Sequence, residues 1–116
     1  MNDPTYLPDQ GDLIWTDFDP TTGREQGGRR PALVLSPRAF CKASGFAIVC
    51  PITSTVRNFG TSVILPAGVK VAGEILTSHV KSIDTLARPI RYTGQAVPAS
   101  TLAEVRAKLA VLCGMG

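Results

Sequence analysis

A chain of 116 residues carrying a net charge of +3 has room for one modest core, so a single domain spanning residues 1–116 is expected. Its 44% hydrophobic and 18% charged residues argue for a folded globular protein and against disorder. No apolar run approaches the roughly 20 residues of a membrane-spanning helix, and the first ten residues hold two acids and no cation, unlike a signal peptide.

The mild basicity permits an anionic partner without demanding one. Cys41, Cys50 and Cys113 are odd in number and lack CxxC or CxxH spacing, which points away from a disulfide framework or zinc site and toward a reduced cytoplasm. Cys50 and Cys113, among apolar neighbours, read as small buried hydrophobes, and Cys41, beside Lys42, as the exposed one.

In chain order, residues 1–10, with Pro4 and Pro8, read as a loose lead-in. Short β-prone runs follow at 13–18, 31–36, 46–53, 62–65, 74–83 and 89–93, the last closing at Gly94. Turn chemistry separates them: Asp19-Pro20 with Gly23, Ser44-Gly45, residues 58–60 and residues 66–68. Trp15 and Phe18 are expected in the core. This punctuation suggests a small antiparallel barrel or sandwich, mainly β with some α. From 100 to 113 the period becomes helical, with Leu102, Val105, Leu109 and Leu112 on one stripe. Thr101 and Glu104 have capping-box spacing, Gly114 is a stop, and Arg106 and Lys108 flank the stripe as a solvated face. Such a helix would cap the open end of the barrel.

The residue inventory limits the chemistry. One histidine, His79, rules out a histidine base–acid pair, and no nucleophile elbow, HExxH, phosphate-cradling GxxxxGKS or dense carboxylate cluster occurs. Metal-free chemistry, or binding without chemistry, remains. The most pointed segment is residues 11–37, GDLIWTDFDPTTGREQGGRRPALVLSP, in which a polar Gly-rich loop brings Glu25 close to Arg29 and Arg30. A planar guanidinium can grip two phosphate oxygens and meet the charge that builds on a pentavalent phosphorus. Glu25 could accept a ribose 2′-hydroxyl proton if burial raises its pKa. The same residues also satisfy the description of an exposed ion pair, which is common and weak. Residues 51–55 (PITST) place hydroxyls at a strand end, and His79 and Lys81 would share one strand face at period two.

Taken together, GDLIWTDFDPTTGREQGGRRPALVLSP, VCPITS, VKSID and the terminal KLAVLCG resemble the MazF/PemK-type toxins of type II toxin–antitoxin systems, in order and spacing over nearly the whole chain. The resemblance implies a compact antiparallel PemK/CcdB-like barrel, related to SH3-like barrels, capped by the C-terminal helix. It implies a cytoplasmic homodimer that cleaves single-stranded RNA, mostly mRNA, with no metal or other cofactor, and a cognate antitoxin whose acidic tail covers the RNA groove. By position, Arg30 and Thr53 correspond to the catalytic arginine and threonine, and Glu25 to a loop acid used in some members. Arg29, Ser36, His79 and Lys81 are assigned to RNA binding. Many relatives carry Asp-Gln where this chain has Ser78-His79, a departure that bears on base preference. A gyrase-poisoning toxin on the same fold and a non-catalytic RNA-binding module are the alternatives.

Overall fold

The computed structural model describes residues 5–18 and 28–116. Its strands are β1 (Asp12–Asp17), β2 (Arg29–Val34), β3 (Phe46–Thr53), β4 (Val63–Ile64), β5 (Glu74–Ile75), β6 (Lys81–Asp84) and β7 (Ile90–Ala96). Helix α1 (Arg38–Ser44) joins β2 to β3, and helix α2 (Ala99–Leu112) ends the fold. Every strand pairing is antiparallel, in the order β4-β5-β3-β2-β1-β7 with β6 also on β3. The expected antiparallel barrel with a terminal helix therefore forms, although its ladder stays open between the outer strands β4 and β7.

The near-continuous apolar runs of β2 and β3 follow from burial on both faces of the sheet. Leu13, Leu33, Cys50 and Ile52 pack on one side with Val105 of α2, and Ile14, Ala32, Val34 and Val49 on the other with Phe18 and Ile83. Phe18 is in the core as expected, whereas Trp15 is only half-buried.

Pro51 shapes the far edge of β3. Ile52 opposes Ile75 and Val49 opposes Lys81, so three steps along β3 face six along its partner, and the excess is the 3-10 turn Thr77–His79. The Pro51 carbonyl accepts the Leu76 N–H (2.9 Å) on this edge, but proline has no N–H to return. The ladder breaks where that donor is missing. The run 74–83 is consequently two short strands around a turn, and His79 and Lys81 do not share a strand.

Other expectations change for equally local reasons. Residues 5–10 are tied down: the Tyr6 hydroxyl donates to Asp12 Oδ2 (2.6 Å), its ring stacks on Tyr92, and Arg38 Nε donates to the Leu7 carbonyl. Gly94 bulges β7 without ending it, because the strand continues to Ala96 and the β1–β7 register shifts at this level. Helix α2 begins after Pro98 with no side-chain cap, so the Thr101–Glu104 capping box does not form and Thr101 is buried inside the helix. Lys108 is not simply a solvated charge, since its ammonium donates to the Ser62 carbonyl (2.6 Å). Cys41 is buried and Cys113 exposed, the reverse of expectation.

Candidate functional site

Strand register assembles the site. The β2–β3 pairing sets Ala32 opposite Pro51, and continuing it by two residues brings Arg30 level with Thr53. Across the other edge of β3, Thr53 pairs with Glu74. Directly opposed residues in antiparallel strands point to the same face, so Arg30, Thr53 and Glu74 form a row across three strands. A pocket of about 570 Å³ opens on this row, lined also by Ser54, Thr55, Arg57, Phe59, Leu76 and His79. That volume suits a nucleotide-sized ligand.

Gly73 lets β5 approach this closely. It has φ +140°, and a Cβ there would run into the Thr53 carbonyl oxygen. Thr53 Oγ1 accepts the Thr55 N–H (3.2 Å), which leaves its own O–H to donate outward. His79 reaches the pocket because the 3-10 turn forced at Pro51 carries it there, and it is half-buried.

Glu74 is 1% exposed. Burial pushes its pKa up, but N–H groups of Arg57, Phe59 and Asn58 and the Ser62 hydroxyl outweigh that and hold it below the usual carboxylate range. It is a fixed anion whose charge is met by backbone donors, so Arg30 and Arg57 leave the pocket attractive to a polyanion. An adjoining pocket of about 320 Å³, lined by Trp15, Arg29, Arg30, Ser54 and Lys70 among others, shares Arg30 and Ser54 with the first. Arg30 thus stands between two cationic depressions.

Of the residues singled out in the sequence, Arg30, Thr53 and His79 meet in one pocket and Arg29 lines its neighbour. Arg29 also faces Asp17 across β1–β2 at 3.9 Å, with both side chains substantially exposed. Lys81 is elsewhere, its ammonium 5.4 Å from the Phe18 ring centroid. Ser36 is buried, and its hydroxyl accepts the Ile48 N–H (2.9 Å), prolonging the β2–β3 ladder. Its geometry is that of a structural group rather than an RNA contact. Glu25 lies outside the described residues. Burial pushes the Cys50 thiol up to about 12, so it is no nucleophile at neutral pH. Among the described residues, no cluster of His, Cys, Asp and Glu could hold a metal ion, and no helix is long and apolar enough to cross a membrane.

Residues 9–113 match the model of the PemK-like, MazF-like toxins of type II toxin–antitoxin systems. The chain belongs to this family. The toxin is 42% identical over 109 residues to the endoribonuclease toxin MazF of Escherichia coli K12, covering 94% of this chain and 96% of that one. Its structure resembles MazF of Deinococcus radiodurans with a TM-score of 0.90 at 46% identity, covering 95% and 99% of the two chains. It also resembles MazF in the MazE–MazF complex of that organism, with a TM-score of 0.84, 46% identity and coverage of 96% and 99%. The toxin is accordingly an endoribonuclease of a type II toxin–antitoxin family.

Sequence reasoning missed Arg57, Phe59 and Glu74. Residues 58–60 announced only a turn, and Glu74 only the start of a β-prone run. The available signal was that run itself: an acid opening a short, otherwise apolar strand has to be buried and paired, or the strand is on the surface.

Proposed function

We propose that the Arg30–Thr53 pocket is where this endoribonuclease toxin cuts single-stranded RNA, mRNA above all, by metal-independent transesterification. The supporting observation is the convergence of Arg30, Thr53 and His79, from β2, β3 and the Thr77–His79 turn, on one pocket sized for a nucleotide. The 2′-oxygen attacks the adjacent phosphorus, the bond from phosphorus to the 5′-oxygen breaks, and the leaving 5′-oxygen takes up a proton from solvent water, so that the products are a 2′,3′-cyclic phosphate and a 5′-hydroxyl. Arg30 binds the non-bridging oxygens in a bidentate grip and counters charge on the phosphorane. The Thr53 hydroxyl, already accepting the Thr55 N–H, donates a hydrogen bond to the same oxygens. Glu25 takes the 2′-hydroxyl proton. Arg29 and His79 hold flanking RNA. The toxin acts as a cytoplasmic homodimer, and its antitoxin covers these cations with an acidic tail.

The expected result is RNA cleavage that persists in EDTA and leaves cyclic phosphate ends at a fixed short motif. Replacing the reactive 2′-hydroxyl by 2′-deoxy abolishes it. Arg30→Ala and Thr53→Ala proteins that remain folded should each lose at least about a hundredfold in rate. Wild-type activity in both variants would overturn the assignment. Inhibition of DNA supercoiling without RNA cleavage would favour a gyrase poison instead.

A further inference from the structure

The pocket contains a carboxylate that no step of RNA cleavage uses. Glu74 Oε1 accepts the N–H groups of Arg57 (2.8 Å) and Asn58 (3.2 Å), and Oε2 accepts that of Phe59 (3.0 Å). Three successive amides aimed at one anion form a nest, a concavity suited to phosphates and other anions. Here the protein fills it with its own buried side chain.

The nest dictates the loop around it. Asn58 has φ +55°, a left-handed conformation that asparagine tolerates better than most residues. The side chains on either side, Arg57 and Phe59, both line the pocket, and Phe59 remains 53% exposed at its rim. The far end of the loop is clamped as well. The Ser62 N–H donates to the Phe59 carbonyl (3.1 Å), while the Ser62 carbonyl accepts Lys108 of α2 (2.6 Å). A polar surface loop is thus held from inside by β5 and from outside by α2.

We propose that Glu74 is a positioning residue for substrate selection, fixing residues 57–59 as a wall that reads the base beside the cut phosphate. This rests on the RNA-cleavage reading above. Single-stranded RNA is read by stacking splayed bases on aromatic rings and by hydrogen bonds to their edges. Phe59 supplies the ring and Arg57 the donors. Because Glu74 holds the wall in place before RNA arrives, ordering costs fall on folding rather than on binding.

Glu74→Gln keeps the volume but removes the anion and turns an NH₂ toward one of the nest amides. Hydrogen exchange at 57–59 should accelerate at least about tenfold. Sequencing of cut ends from a randomised single-stranded RNA pool should show weakened discrimination at the base beside the cut. On a fixed substrate, KM should rise about tenfold with a much smaller change in kcat. Phe59→Ala should lose the same discrimination, and combining it with Glu74→Gln should lose little more. Unchanged discrimination in a Glu74→Gln protein whose loop amides have lost protection would overturn the proposal. Should that variant fail to fold, Arg57→Ala and Phe59→Ala, both at exposed positions, decide the matter: wild-type discrimination in both refutes it. Wild-type protein that cuts no RNA would instead overturn the RNA reading, and base selection with it.

Discussion

Gly73 and Glu74, neighbours at the start of β5, do most to shape the pocket without offering a group for chemistry. At Gly73 any side chain meets the Thr53 carbonyl in a backbone conformation that L-residues avoid. Gly73→Ala should therefore destabilise the toxin by about 1–3 kcal/mol and lower cleavage further by displacing Thr53, as urea unfolding and rate measurements would show. Glu74 imposes a pH dependence. Its pKa is depressed by folding, so the stability it contributes is complete above the unfolded value of about 4.3 and is lost as pH falls through the lower folded value. Wild-type protein should lose more stability than Glu74→Gln when urea unfolding is repeated at successively lower pH across that interval. An equal loss in both would show that other carboxylates govern the acid limb. Arg30 and Thr53, singled out in the sequence from local motifs, do line one pocket. Glu74 was not singled out, because its partners are 15–17 residues away and the nest exists only once β5 has paired with β3.

Among the elements, β3 coincides with its sequence expectation from Phe46 to Thr53, since a long apolar run flanked by Gly45 and a polar loop leaves little choice. Helix α1 went unseen for a physical reason. It has seven residues, starts after Pro37 and lacks a local capping side chain. Its cap comes from Asp9, whose Oδ1 accepts the Arg38 N–H (2.9 Å) from 29 positions earlier in the chain. Such a contact satisfies a helix-terminal donor while leaving no trace in the helix's own sequence. Asp9→Ala should cost about 1 kcal/mol in thermal or denaturant unfolding. Asp9 lines neither pocket, so RNA cleavage by the folded variant should not change. The interruption at Thr77–His79 was likewise hidden, although its cause, Pro51, stood in plain view. A proline inside a strand predicts a missing ladder bond, but not which neighbouring strand will have to accommodate it.

For the whole molecule, a net charge of +3 understates the local field, because Arg29, Arg30 and Lys70 line one depression and Arg30 and Arg57 the other. Cations that meet backbone phosphates bind RNA by releasing counterions, whereas groups that read bases discriminate with little effect on salt dependence. On the proposed reading Arg29 is of the first kind, since it is exposed, lines the second depression, and has a 3.9 Å pairing with Asp17 that is too solvated to hold it back. Binding of a 2′-deoxy-blocked, uncleavable oligonucleotide should weaken with rising salt. Arg29→Ala should lower affinity by a similar factor for every sequence tested and flatten the slope of log affinity against log salt by about 0.7. Phe59→Ala should leave that slope unchanged and narrow the spread between sequences. A slope unaltered by Arg29→Ala would remove Arg29 from the phosphate path. The proposed antitoxin tail offers an independent check: if it is acidic and lies on the same cations, it should also bind Arg29→Ala toxin less tightly, and the deficit should shrink as salt screens the pair.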